Sequence, residues 1–297
     1  MKKVLSGILA AGLIVSSVFL FSSCEQPDAL EAYQEAWEKT NQLTELDTSY
    51  QADFEIDAQD IWMEVSASGQ IQQRLKDGLP EEFFSRMKGK ALGMTQEETT
   101  YYKDGVLYTD SMGEKIKTEF PMGEFSREMA VSEFPSWFQL DGEIFQECSL
   151  KKQGSEQHFT GKVDGEKLKA ALLDNIIDSL GEEVEEEDKE EFRRQMEQMA
   201  DYVTLSDVEL TLVITGDGYI GSQGVSMKLK MEGLSELLGD MMIGETEEVS
   251  VDMAEISLAF SMTNHQPGKA VSITVPDDLE EYQDWEDYQS LDGWMEE

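Results

Sequence analysis

The stretch Tyr50-Gln51-Ala52-Asp53-Phe54-Glu55-Ile56-Asp57-Ala58 alternates apolar and polar residues without a break. Successive side chains of an extended chain point to opposite faces, so Tyr50, Ala52, Phe54, Ile56 and Ala58 share one side and the acids and amide share the other. That is a strand of an antiparallel sheet with one wet face. A second run carries Ile61, Met63, Val65 and Ala67 in alternate places, with Trp62 on the opposite parity. The turn falls either at Gln59-Asp60 or at Ser68-Gly69.

Downstream, Asp104-Gly105 sits inside Tyr101-Tyr102-Lys103-Asp104-Gly105-Val106-Leu107-Tyr108-Thr109-Asp110. Both turn positions tolerate positive φ, so the stretch predicts a tight hairpin. A further turn at Ser111-Met112-Gly113 lets Lys115 to Phe120 return as a strand. The segment 121–140 is less regular and rich in aromatics, among them Phe134 and Trp137. Strands resume over Ile144–Lys151 and Glu156–Val163. Leu168, Leu172, Ile176 and Leu180 recur every four residues and mark an amphipathic helix ended by Gly181, and a second helix is expected over Asp188–Tyr202. The acidic run Glu182–Asp188 between them repels itself and has no calcium-loop spacing.

The last third is again strands: Val208 to Ile214, Tyr219 to Glu232, and Val249 to Met262, the last with a change of phase near Ala254-Glu255 that suggests a bulge. Val271, Ile273 and Val275 predict a closing strand. Residues 277–297 form an acidic tail with scattered aromatics, for which a weakly docked helix and disorder are both open.

Upstream, Leu30, Tyr33, Trp37, Thr40 and Thr44 predict a helix capped by Asp28. Before it, Met1-Lys2-Lys3 opens an apolar run ending at Phe21-Ser22-Ser23-Cys24, the order of an export signal. The run is also long enough, at the lower limit, for an uncleaved spanning helix. Phe21-Ser22-Ser23-Cys24 resembles the lipobox at which bacterial lipoproteins are acylated and cut. The resemblance implies a signal peptide over 1–23, lipid attachment with acyl chains such as palmitate at Cys24, and a place on the extracytoplasmic face of the cell membrane. With Cys24 so used, Cys148 has no partner in the chain and reads as a small buried hydrophobe.

Sixty-three Asp and Glu against 23 Lys and Arg give a net charge of −40. Such a surface repels nucleic acid and anionic headgroups, so the chain should hang from its lipid and not lie flat. Chemistry is sparse. His158 and His265 stand apart without metal-ligand spacing, no nucleophile elbow or phosphate loop is present, and no carboxylate pair stands out. No catalytic residue, metal or cofactor is expected.

The order of elements predicts an α+β fold, a strongly curved antiparallel sheet covered by helices. Two smaller domains divided near Leu140 are the other arrangement. Together with the lipobox, Ala32-Tyr33, Ala36-Trp37 and Leu43 in the first helix, the strands from Tyr50, the Tyr102–Tyr108 hairpin and Ile273-Thr274-Val275-Pro276 resemble the LolA/LppX-like unclosed β-barrel lipoproteins. The resemblance covers most of 28–276 and implies that the sheet is an unclosed β-barrel, in one domain over 24–276 that takes acyl chains or lipidated partners beneath its helices. Candidate lining residues are Phe54, Ile56, Met63, Phe134, Trp137, Leu172, Ile176, Leu212, Met227 and Leu258. The alternative is a non-catalytic envelope interaction or structural module that meets an envelope protein and holds no ligand.

Overall fold

The computed structural model describes residues 27–58, 61–120, 142–178, 186–233 and 253–285. Helix α1 (Pro27–Asn41) leads into six strands, β1 (Glu45–Ala58), β2 (Ile61–Lys76), β3 (Leu79–Ala91), β4 (Met94–Lys103), β5 (Val106–Ser111) and β6 (Glu114–Glu119). Strands β7 (Phe145–Gln153) and β8 (Glu156–Val163) follow, then helices α2 (Gly165–Asp178) and α3 (Glu186–Ala200). Strands β9 (Val203–Ile214), β10 (Ile220–Glu232), β11 (Met253–Asn264) and β12 (Gln283–Asp284) complete the order. All join one twelve-stranded sheet, β12-β6-β5-β4-β3-β2-β1-β11-β10-β9-β8-β7.

The sheet is unclosed and helix-covered, as expected, but it is mixed and not strongly curled. The expectation of a strongly curved, wholly antiparallel sheet is therefore corrected. The mixing comes from β12, which runs parallel to β6. The lack of curl follows from where the core lies. Tyr33, Ala36 and Trp37 of α1 and Leu168 of α2 pack with Phe145, Phe159, Leu205, Leu210, Leu212 and Val225 of β7 to β10. This core sits toward the β7 edge of the sheet, where the described helices chiefly pack, and the apolar side chains of the middle strands are mostly half-buried, so no packed layer draws the sheet round at its centre.

Tyr33 stacks on Phe159 at 5.1 Å and meets Phe145 edge-on at 5.6 Å, fixing α1 across those strands. Thr40 Oγ1 accepts from the Ile220 backbone N–H at 2.8 Å, which fixes its far end. Asp164 begins α2, its carboxylate accepting the backbone N–H groups of Glu166 and Lys167 at 3.0 and 3.1 Å. Those bonds, the one from Lys167 foremost, lower the Asp164 carboxyl below its ordinary range despite some desolvation.

Of the two expected positions for the first turn, Ser68-Gly69 is overturned: Ala58 pairs with Ile61 and β2 then runs unbroken through Ser68-Gly69, while Gln59-Asp60 lies outside the described residues. Asp104-Gly105 makes the expected hairpin turn with φ of 51° and 81°. No bulge occurs at Ala254-Glu255: the register of β11 on β10 is continuous from Thr263 to Met253. The phase change there reflects Met253, an apolar residue on an exposed position. Register shifts occur instead between β10 and β9, at Ile220/Ser222 and Ser226/Lys228, between β2 and β3 at Arg74/Leu75, and between β7 and β8 at Phe145/Glu147.

Val271, Ile273 and Val275 do not form a strand. Their segment crosses the polar face as a strap held by side chains. Glu45 accepts from the Val271 N–H at 2.6 Å, Arg74 donates to the Val271 carbonyl at 3.1 Å, and Gln72 accepts from the Thr274 N–H at 2.8 Å. Beyond it Lys115 pairs with Asp278 and Glu281, Tyr282 meets Tyr108 edge-on at 5.5 Å, and β12 is reached. This beginning of the acidic tail is thus docked as a short 3-10 turn and edge strand.

Candidate functional site

Residues directly opposite in an antiparallel ladder point to the same side, so the registers define each face row by row. Ile56 stands opposite Met63 and Ile256, and Ile256 opposite Leu229. In the next row Phe54 stands opposite Val65 and Leu258, and Leu258 opposite Met227. Ala52, Ala67, Phe260 and Val225 form the third row. Apart from Val225, every one of these side chains is half-buried. The result is an apolar field across β2-β1-β11-β10, continuous with the core under α1.

The field ends in a more polar row. Tyr50, Gly69, Met262, Gln223 and Leu212 stand in register there. Gln223 is only 3% exposed, its amide N–H faces the Met262 sulfur at 3.9 Å, and its carbonyl oxygen finds no hydrogen-bond partner among the described residues. A buried amide oxygen left without a donor is unfavourable by about 1–3 kcal/mol. Burial first, and then the Glu98 carboxylate, push the Tyr50 phenol upward.

Five of the residues singled out in the sequence, Phe54, Ile56, Met63, Met227 and Leu258, therefore come together. Leu212 lies on the same face but is 1% exposed and belongs to the core. Leu172 stands on α2 and is solvent-facing at 42% exposure. Ile176 also lies on α2. Cys24, Phe134 and Trp137 lie outside the described residues. Val65, Leu229, Ile256 and Phe260 share the field but were not singled out, although the alternation that marks Phe54 marks them equally.

The opposite face is polar. A groove of about 500 Å³ crosses β3-β2-β1-β11, lined by Ser49, Gln51, Ser68, Gln70, Arg86 and Lys88 among others. A smaller hollow of about 250 Å³ lies beside Asp53, Glu55 and Lys228. Toward the strap, Glu82 accepts from Arg74 at 2.9 Å, Tyr101 at 2.9 Å and Lys103 at 3.1 Å. Burial alone would raise the Glu82 carboxyl. The hydrogen bonds from Tyr101 and Lys103, with the charges of Lys103 and Arg74, outweigh it and hold the group below its ordinary value.

Cys148 is buried in β7, as expected, but it is disulfide-bonded. The expectation that it lacks a partner is corrected. The bonded partner lies outside the described residues, and Cys24 is the chain's one other cysteine. One sulfur cannot hold both a disulfide and a thioether-linked lipid, so the two states exclude each other. Among the described residues no cluster of His, Cys, Asp and Glu could hold a metal ion, and no helix is long and apolar enough to cross a membrane.

No protein-family model and no curated protein matches the chain. Among solved structures, LprF from Mycobacterium bovis is 11% identical with a TM-score of 0.36, over 84% of this chain and 98% of that one. A DUF1329 family protein from Desulfovibrio piger is 8% identical with a TM-score of 0.23, over 82% and 95%. The LolA superfamily protein NE2245 from Nitrosomonas europaea is 10% identical with a TM-score of 0.21, over 84% and 96%. Likenesses this faint carry no argument about function, which rests on the chain's own residues.

Proposed function

We propose that the chain is an extracytoplasmic lipoprotein, cut before Cys24 and held to the cell membrane by lipid on that residue, whose apolar field binds a hydrophobic or amphiphilic ligand. The single observation that carries this reading is the gathering of Phe54, Ile56, Met63, Met227 and Leu258 on one face of four neighbouring strands, none of them fully buried. Apolar area removed from water stabilises by about 25 cal/mol per Å², so a ligand covering roughly 200 Å² of this field gains about 5 kcal/mol before the loss of its own freedom. Strand backbones are already paired with one another and offer little to a ligand's polar end.

The alternative, a non-catalytic envelope module that holds no ligand and meets an envelope protein through its polar, acidic surface, draws its support from the hollows at Ser49–Lys88 and Asp53–Lys228, which lie on the polar face. The two readings separate in a titration of the mature chain with a fluorescent fatty acid. Ligand binding requires saturable uptake that the Phe54→Asp and Leu258→Asp variants weaken about tenfold or more while keeping the wild-type circular dichroism. Failure to take up fatty acid or lysophospholipid would favour the ligand-free module.

A further inference from the structure

The hairpin turns at the two ends of the sheet differ in chemistry. At one end the chain turns at Asp77-Gly78, Asp104-Gly105, Gly154 and Gly216-Asp217-Gly218, residues that adopt positive φ readily and face water. At the other end the turns are Leu92-Gly93 and Met112-Gly113, with φ of 51° at Leu92 and 56° at Met112. Large L side chains are disfavoured in that left-handed region, where Asn, Asp and Gly belong. Both are nevertheless wide open to solvent, Leu92 at 73% exposure and Met112 at 74%. Beside them at the same end stand Ile61 at 57%, Trp62 at 64%, Met94 at 69% and Met253 at 45%. A chain that writes Asp-Gly at turns of the other end carries, among the described residues, its large apolar side chains at positive φ at this end alone.

That end is also where the amino terminus of the described fold points. Leu30, near the start of α1, packs against Gly142, so closely that a β carbon there would lie 2.4 Å from it. Gly142 opens the 3-10 turn Gly142–Ile144 that leads into β7, whose first residue Phe145 pairs with Val163 at the end of β8. The other end of α1 reaches the β9–β10 turn, where Lys39 donates to the Asp217 carbonyl and Thr40 accepts from Ile220. The antiparallel registers put Phe145, Val163, Glu232, Met253, Ile61 and Met94 at one end of the sheet and that β9–β10 turn at the other. Cys24 precedes Pro27, the first residue of α1, by three positions.

We infer that Ile61, Trp62, Leu92, Met94, Met112 and Met253 form a rim that dips into the headgroup layer of the bilayer carrying the anchor, so that the sheet stands end-on to the membrane. The direction of approach rests on the proposed anchor at Cys24. Aromatic and aliphatic side chains at turns and strand ends suit the headgroup boundary, where part of each can leave water. End-on contact keeps the acidic faces away from the lipid, which lying flat would not. It also opens the apolar field toward the bilayer, since the rows of Phe54 and Ile56 lead to the Ala58–Ile61 pair.

The test uses the chain from Cys24 onward, which contains every described element, on phosphatidylcholine vesicles with brominated acyl chains. Emission owed to Trp62 is read as the difference from the Trp62→Phe variant. The rim requires that emission to fall by roughly half or more on brominated vesicles, as for a side chain seated at the headgroup boundary. The paired variant Leu92→Asn, Met112→Asn should weaken the quenching and yet keep or raise the melting temperature, because Asn relieves the left-handed turn positions. A residue placed there for the fold would lower it. Unquenched Trp62 in a chain shown by mass to carry lipid overturns the rim and leaves the anchor standing. A chain found without acyl groups refutes the anchor alone. The quenching is then read on nickel-chelating vesicles that hold the chain by an N-terminal histidine tag, where unquenched Trp62 overturns the rim as before.

Discussion

The hydroxyl end of Tyr50 sits against Gly69 on the neighbouring strand, close enough that a β carbon on Gly69 would fall 2.6 Å from the Tyr50 hydroxyl and 2.4 Å from the Arg86 carbonyl. The glycine is needed for close approach and not for a turn, since β2 passes straight through it. Gly69→Ala should destabilise the fold by about 1–3 kcal/mol through overpacking. Tyr50→Leu should not rescue it, because the Arg86 carbonyl remains in the way. Urea unfolding of the two single variants and the double variant measures this.

Glu82 gives a pH dependence of defined sign. Its folded-state carboxyl is held below the ordinary value of 4.5, so the stability it contributes is fully present above that value and is lost as pH falls through the lower folded value. The difference in unfolding free energy between the wild type and Glu82→Gln should be about 1–3 kcal/mol at neutral pH and shrink on acidification below about 4.5. Taking the difference cancels the relief of acidic self-repulsion that both proteins share. Denaturant titrations at several pH values decide it, and a gap that widens in acid would show the sign to be wrong.

The strap is the third place to cut. Tyr282 is buried against Tyr108, and Lys115 holds Asp278 and Glu281. Tyr282→Ala together with Lys115→Ala should release residues 269–285 to protease while β1 and β2 stay protected, because the strap makes no ladder hydrogen bonds to them. Limited proteolysis followed by mass mapping reads this directly. Simultaneous digestion of strap and sheet would mean that the strap is integral to the sheet.

Cysteine chemistry separates two forms of the chain. Acylated protein should show one free thiol, at Cys148, whereas unacylated protein from an oxidising compartment should show none, its two sulfurs being joined. Thiol alkylation under denaturing conditions, with the intact mass, gives both answers from one sample. A free Cys148 in the unacylated protein would remove the disulfide from the native state.

What was legible in the sequence was periodicity and turn chemistry. The hairpin at Asp104-Gly105 and strand β8 stand where alternation put them. Strand β3 was not legible, because Glu82, Phe83 and Phe84 are all buried and no alternation survives. Phe83 packs with Tyr102 on one face, while Phe84 stands opposite Tyr101 on the other, in the row that reaches Tyr108 and the strap. Val271, Ile273 and Val275 erred the other way: a period of two tells which way side chains point but not what the backbone bonds to, and here it bonds to Glu45, Gln72 and Arg74. Curvature was likewise beyond reach, since alternation assigns faces and says nothing of how far a sheet bends. The apolar field was half legible: parity grouped Phe54 with Ile56, but only the registers showed that Met63, Leu258 and Met227 share their rows while Leu172 does not.

The most direct test of ligand binding is mass spectrometry of small molecules extracted from the chain purified from its native cells, beside a Phe54→Asp, Leu258→Asp variant purified in the same way. A lipid or other apolar molecule recovered in near-equal amount with the wild type and lost from the variant is the expected result. A wild-type chain that comes out empty, or one whose lipid is unchanged by charges placed in the field, would contradict it.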